Sequence, residues 1–267
     1  GFVKTAAGTP DIKVADCGYN CARIKALIDK AHEQGVRVLV LPELCITGYT
    51  CQDLFFQQTL LDGALNALKD ITEHSAGLDM LIAVGCPLRF RGELYNCAVV
   101  MKDGKILGVV PKKFLPNYNE FYEKRHFTAA PEGEYDIELF GESVPFGLGL
   151  LFECRGTPEL VFAAEICEDL WAAEPPSISL ALGGATLIAN LSASNETIGK
   201  DSYRRELVNS QSARLLCGYV YASAGSGEST QDLVFGGHDI IAENGIVLAE
   251  SKLYSTGLTV TEIDVQK

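Results

Sequence analysis

Apolar residues recur along this chain with two different periods, and the periods alternate. Segments 2–7, 36–42, 80–87, 94–102, 105–111, 160–166, 186–191, 219–222, 238–242, 247–250 and 258–264 are short runs of apolar and β-branched residues, which predict strands. Between the first two, Cys21, Ile24, Leu27, Ile28 and Ala31 return at helical spacing, predicting a helix over 20–34 that Gly35 terminates. Leu60, Leu61, Ala64, Leu65 and Leu68 predict a second helix over 58–74. A short helix near 177–182 and a polar one over 201–217 follow. Asp103-Gly104 and Asn244-Gly245 predict tight hairpin turns. Segment 112–146 breaks the rhythm with Pro116, Pro131, Pro145 and many aromatics, and reads as a loop-rich wall. Helix-linked strands mixed with hairpins predict mixed sheets covered by helices, in one domain spanning 1–267.

Charge narrows the partners. With 22 basic and 35 acidic side chains the formal charge is −13, a field that repels nucleic acid and anionic membrane surfaces. Nine cysteines, several inside apolar runs and none in a C-x-x-C pair, predict reduced thiols rather than a disulfide framework or a zinc site. No apolar run reaches the ~18 residues of a membrane span, so a cytoplasmic location is expected. Opening on Gly1 rather than Met, the chain is expected to be part of a longer reading frame. A homo-oligomer is also expected.

Three predicted strands end on reactive side chains: Glu43 after 36–42, Lys112 after 105–111, and Cys167 after 160–166. The carboxyl ends of core strands are where α/β folds collect their chemistry. Amide hydrolysis needs a nucleophile, a proton carrier and a charge to stabilise the oxyanion. Thiol, carboxylate and ammonium supply all three, with the Glu168 N–H as a further oxyanion donor. Each residue also has a plainer reading. Cys167 fits a small core residue, Glu43 a helix cap, and Lys112 a solvated loop lysine.

At these residues the chain resembles the nitrilase, or carbon–nitrogen hydrolase, superfamily. The resemblance is carried by Leu41-Pro42-Glu43-Leu44 with Gly48-Tyr49, by Pro111-Lys112-Lys113-Phe114-Leu115-Pro116-Asn117-Tyr118, and by Glu165-Ile166-Cys167-Glu168-Asp169-Leu170-Trp171. Asn190 to Thr197, Tyr219 to Gly225 and Gly227-Glu228-Ser229-Thr230 are similar to the glutaminase domains of glutamine-dependent NAD⁺ synthetases. The likeness covers essentially the whole chain. It implies a four-layer αββα sandwich and a Glu43–Lys112–Cys167 triad, with Lys112 rather than Lys113 chosen by its spacing to the Leu-Pro element. It further implies Glu123 as a second acid, and L-glutamine contacts at Tyr118, Ser194 and Lys200, with Tyr49, Glu168 and Trp171 shaping the pocket. Lys200 also makes independent sense as the cationic partner of an amino-acid carboxylate; its plainer reading is a solvent-facing lysine at a helix start, and that of Tyr118 a packing aromatic. A full synthetase carries a phosphate-binding Ser-Gly-Gly loop, which does not occur here. ATP, Mg²⁺ and deamido-NAD⁺ are therefore expected to bind only a C-terminal synthetase domain outside this chain, with no cofactor or metal in this one. A free-standing amidase for another carboxamide, and a domain inactive without its synthetase partner, are the competing expectations.

Overall fold

Period-two alternation in the strands builds a sandwich with two differently clothed faces per sheet. The computed structural model describes residues 1–266. Its strands are β1 Phe2–Thr9, β2 Val38–Val40, β3 Leu81–Phe90, β4 Glu93–Lys102, β5 Lys105–Pro111, β6 Glu134–Leu139, β7 Glu142–Gly147, β8 Phe152–Glu153, β9 Val161–Ile166, β10 Leu187–Ser192, β11 Gly218–Ser223, β12 Ile240–Glu243, β13 Ile246–Glu250 and β14 Gly257–Asp264. Its helices are α1 Cys17–Glu33, α2 Gln58–His74, α3 Glu123–His126, α4 Glu168–Trp171, α5 Pro176–Leu182 and α6 Lys200–Leu215.

One sheet has the order β14-β1-β2-β3-β4-β5-β7-β6 and the other β13-β12-β11-β10-β9-β8. Each has a parallel centre, β1–β2–β3 in the first and β9–β10–β11 in the second, with antiparallel pairs added outside except where β7 meets β5 in parallel. Val38 and Val40 point into the space between the sheets, where they meet Phe162, Ala164, Ile166, Leu187, Ala189, Leu191 and Val220. Leu39 and Leu41 point the other way, onto Ile24, Leu27 and Ile28 of α1 and Leu61 and Leu68 of α2. Ile188, Tyr219 and Tyr221 face outward from the second sheet onto Leu180 of α5 and Val208 of α6. Helix, sheet, sheet and helix stack as four layers, so the fold is the αββα sandwich with two mixed sheets.

Several predicted boundaries move. Helix α1 starts three residues early because the Asp16 carboxylate accepts the Tyr19 N–H at 3.0 Å and caps it. The segment 112–146 is not all loop, since β6 and β7 form a hairpin that extends the first sheet's edge. Pro145 argued against a strand there. It is tolerated because β7 pairs with β5 only at Val109–Phe146. No helix among the described residues is long and apolar enough to cross a membrane, and all nine cysteines are free thiols.

One contact in this framework reaches the chemistry directly. The turn carrying Glu43 rides on the backbone of β3 at Gly85. A Cβ added there would stand 2.2 Å from the Leu44 nitrogen and 2.4 Å from the Pro42 oxygen. Overpacking of this kind costs about 1–3 kcal/mol, or roughly 2–4 °C of Tm per kcal/mol in a chain of this size. Gly85→Ala should therefore melt several degrees lower and lose activity. Gly156→Ala, where an added Cβ meets nothing within 4 Å, should match the parent in the same melting experiment.

Candidate active site

Four buried side chains meet where β2, β5, β9 and β10 end. Lys112, with no exposed surface, follows β5 and sits between two carboxylates: its Nζ lies 2.6 Å from Glu43 Oε1 and 2.6 Å from Glu123 Oε1. Asn96 Nδ2 donates to the same Glu43 oxygen at 2.6 Å, and the Ala193 N–H donates to Glu43 Oε2 at 2.9 Å. A carboxylate offers about four acceptor positions. Three are filled by these donors, which leaves Glu43 one site for a proton from a reacting group. Glu123 is held by α3 and also accepts from Tyr49 Oη at 2.8 Å.

Cys167 turns the chain from β9 into α4 with φ 44° and ψ −100°, a region that a side-chain-bearing residue enters only under constraint. The constraint is visible. Its N–H is shared between the Leu191 carbonyl at 3.0 Å and Asn190 Oδ1 at 3.1 Å. Asn190 is in turn fixed by Ser192 Oγ at 2.7 Å and Tyr219 Oη at 3.2 Å. The sharp turn leaves the Glu168 N–H at the start of a helical turn, without an intrahelical acceptor by position.

Charge explains how these groups stand at rest. Burial and the Glu43 carboxylate push the Cys167 thiol far above its ordinary value, against the pull of Lys112 and the Ala193 amide. The resting sulfur is a thiol and needs a base to become a nucleophile. Burial opposes charge on Lys112, but Glu123 and Glu43 outweigh it and hold the ammonium well above the usual lysine range. Burial pushes Glu123 up to about 7, against the Lys112 charge. The site thus holds a permanent cation, a base at Glu43 with one free acceptor position, and a thiol whose main charged neighbours are both of them.

In front of Cys167 a cleft of about 380 Å³ opens to solvent, lined by Tyr118, Phe121, Glu168, Trp171, Ser194, Lys200 and Tyr203 among others. Its walls carry opposite charges. Tyr118 Oη donates to both Glu168 oxygens at 3.0 Å. The Lys200 ammonium, at the first turn of α6, lies 5.2 Å from the Trp171 ring centre and bonds Asn195 Oδ1. Ser194 Oγ accepts from the guanidinium of Arg204, which is wholly buried and also reaches Glu196 and His238.

All four triad and second-acid positions expected from sequence are brought together, and Lys113 instead lays its Nζ 4.9 Å from the Phe114 ring centre. Tyr118, Glu168, Trp171, Ser194 and Lys200 line the cleft with Cys167. Tyr49 does not; it stands behind Glu123, beside a second small cavity. Asn96 and Arg204 were missed. Asn96 had a signal, as a lone amide inside an apolar strand, whereas Arg204 sits in a helix too polar to mark a buried face.

A carbon–nitrogen hydrolase family profile matches residues 4–267. The chain belongs to the carbon–nitrogen hydrolase family. Among its relatives is the glutamine-dependent NAD⁺ synthetase of Mycobacterium tuberculosis, 44% identical over 268 residues that cover all of this chain and 40% of that protein. The human glutamine-dependent NAD⁺ synthetase is 32% identical over 247 residues, covering 88% of this chain and 34% of that one. This hydrolase chain thus spans about two-fifths or less of the length of the curated relatives it matches. A solved glutamine-dependent NAD⁺ synthetase from Cytophaga hutchinsonii superposes with a TM-score of 0.88 at 30% identity, over 98% of this chain and 43% of that one. An amidase from Nesterenkonia sp. AN1, at 18% identity and a TM-score of 0.76, shares the fold over 99% of this chain.

The raised Glu123 pKa carries a stability prediction with a definite sign. The folded state holds this proton up to about pH 7, and the unfolded chain only to the ordinary 4.5. Its contribution is full below about 4.5 and lost as pH rises through about 7. Unfolding free energy of the parent, relative to Glu123→Gln, should fall across that window by up to about 1.4 kcal/mol per pH unit. Denaturant titrations at pH 5, 6 and 7 read this, and parallel curves would show Glu123 ionised throughout.

Proposed function

We propose that this chain is a glutamine amidohydrolase, releasing ammonia from L-glutamine through a Cys167 thioester, as the glutaminase portion of a glutamine-dependent NAD⁺ synthetase. The observation that carries the reading is the opposed pair of charges on the cleft walls, with the thiol on the floor. A free amino acid brings an ammonium and a carboxylate together. Glu168 suits the first, and Lys200 with Ser194 suits the second. The side-chain amide then extends toward Cys167.

The chemistry follows from the donor pattern. Glu43 takes the thiol proton into its free acceptor position as the sulfur attacks the amide carbon. Lys112 and the Glu168 N–H stabilise the oxyanion. Collapse breaks the C–N bond, and the proton on Glu43 goes to the departing ammonia. Water then attacks the thioester, Glu43 accepts its proton, and glutamate leaves with the thiol restored. Tyr49 and Lys112 hold Glu123 on the far side of the ammonium, keeping that charge in place while the acyl group forms and breaks.

The ammonia is consumed in this reading by an ATP-dependent synthetase domain of the parent protein, where deamido-NAD⁺, ATP and Mg²⁺ would bind. A cytoplasmic homo-oligomer remains the expected setting. Neither bears on the cleft chemistry.

Ammonia release from glutamine tests the proposal, with Cys167→Ala expected to abolish it. Lys200→Ala removes one charge-assisted contact of about 1.5–3 kcal/mol, so KM for glutamine should rise roughly 10- to 100-fold while turnover of a short uncharged amide stays unchanged. Equal losses on both substrates would favour a general amidase. An inactive chain whose Cys167 still takes up a diazo-ketone glutamine analogue would favour dependence on the partner domain.

A further inference from the structure

We infer that Asp169 is a positioning residue whose carboxylate locks the segment bearing Lys112 onto the turn bearing Cys167. The inference rests on the assignment of those two residues to amide hydrolysis. Lys112 comes from the eight-stranded sheet and Cys167 from the six-stranded one, so no ladder of backbone hydrogen bonds sets them in register. Something else has to fix the gap across which a thiol and an ammonium serve one carbonyl.

Asp169 stands two residues past the nucleophile and is almost wholly buried. One of its oxygens accepts the N–H groups of Phe114 at 2.8 Å and Lys113 at 3.1 Å, directly after Lys112. The other accepts the N–H of Ile166 at 3.0 Å, directly before Cys167. The opposite side of the Lys112 backbone is pinned as well, its N–H to the Asn96 carbonyl and its carbonyl to the Ala130 N–H, each at 2.8 Å. Burial pushes the Asp169 carboxyl up to about 8, against the pull of the Phe114 and Ile166 amides. It accepts these amides through both of its oxygens, so the tie needs two acceptor atoms. Asparagine has the same shape but one acceptor oxygen. Its NH₂ would face an N–H on one side, and that half of the tie would part.

Misplacement by about 1 Å can cost on the order of 10²-fold in rate. In Asp169→Asn, kcat for glutamine should fall roughly 10- to 100-fold with KM within about threefold. Alkylation of Cys167 by iodoacetamide, followed by peptide mass spectrometry, should slow at least about tenfold at neutral pH, and its pH profile should move to the alkaline side. Asp169→Glu keeps both carboxyl oxygens and should recover part of the rate. A folded Asp169→Asn with parental alkylation and kcat overturns the inference. Should that variant not fold, Asp169→Glu decides: native circular dichroism with slowed alkylation supports the tie, unchanged alkylation overturns it, and loss of fold in both reduces Asp169 to a stabilising residue and overturns it too. Alkylation needs no glutamine, so a parent inactive on glutamine would sink the glutaminase reading without touching this one.

Discussion

A lysine ammonium with no exposed surface is the constraint around which this molecule is organised. A charge taken out of water is costly unless its partners are close and their geometry is good. Here two carboxylates at 2.6 Å supply that, and each has to be oriented by further donors: Asn96 and the Ala193 amide for Glu43, Tyr49 for Glu123. The sandwich provides these donors because parallel strands of both sheets end on the same side. The need to satisfy one cation therefore reaches from the inter-sheet core to the loops that shape the cleft.

The same arrangement separates two tasks. Behind Cys167 stand the buried charges to which the proposed mechanism gives the proton and the oxyanion. In front, half-buried Glu168 and Lys200 line the cleft, where the proposal has them sort what enters. Glu43 is oriented by donors that do not touch the cleft, so selectivity at the walls can change without disturbing the base. The Arg204 guanidinium is the exception. It reaches Ser194 Oγ and the Asn195 carbonyl from inside α6 and joins the cleft wall to His238 and Glu250 at the edge of the second sheet.

Much of this was legible from residue order. Strand periodicity marks the sheets because their two faces bury different neighbours, as Val38 and Val40 against Leu39 show. The triad stands out because each member interrupts an apolar strand at its end. What escaped the sequence has physical causes. In the β6–β7 hairpin Glu134, Asp136 and Glu138 alternate with Tyr135, Ile137 and Leu139, a strand period that the prolines around it, Pro131 and Pro145, masked. Helix α6 buries Arg204, Val208, Gln211 and Ser212, a face that hydrogen bonds and that no hydrophobic period reveals. Asp169 lies in plain sight beside the nucleophile, but its role is defined by backbone amides 55 and 56 residues away in the chain.

The most direct test of the account is a crystal structure of Cys167→Ala with L-glutamine bound. The account places the side-chain carbonyl oxygen within hydrogen-bonding distance of Lys112 Nζ, with the α-carboxylate at Lys200 and the α-ammonium at Glu168. Glutamine bound with its amide turned away from Lys112, or with its carboxylate beside Glu168, would contradict it.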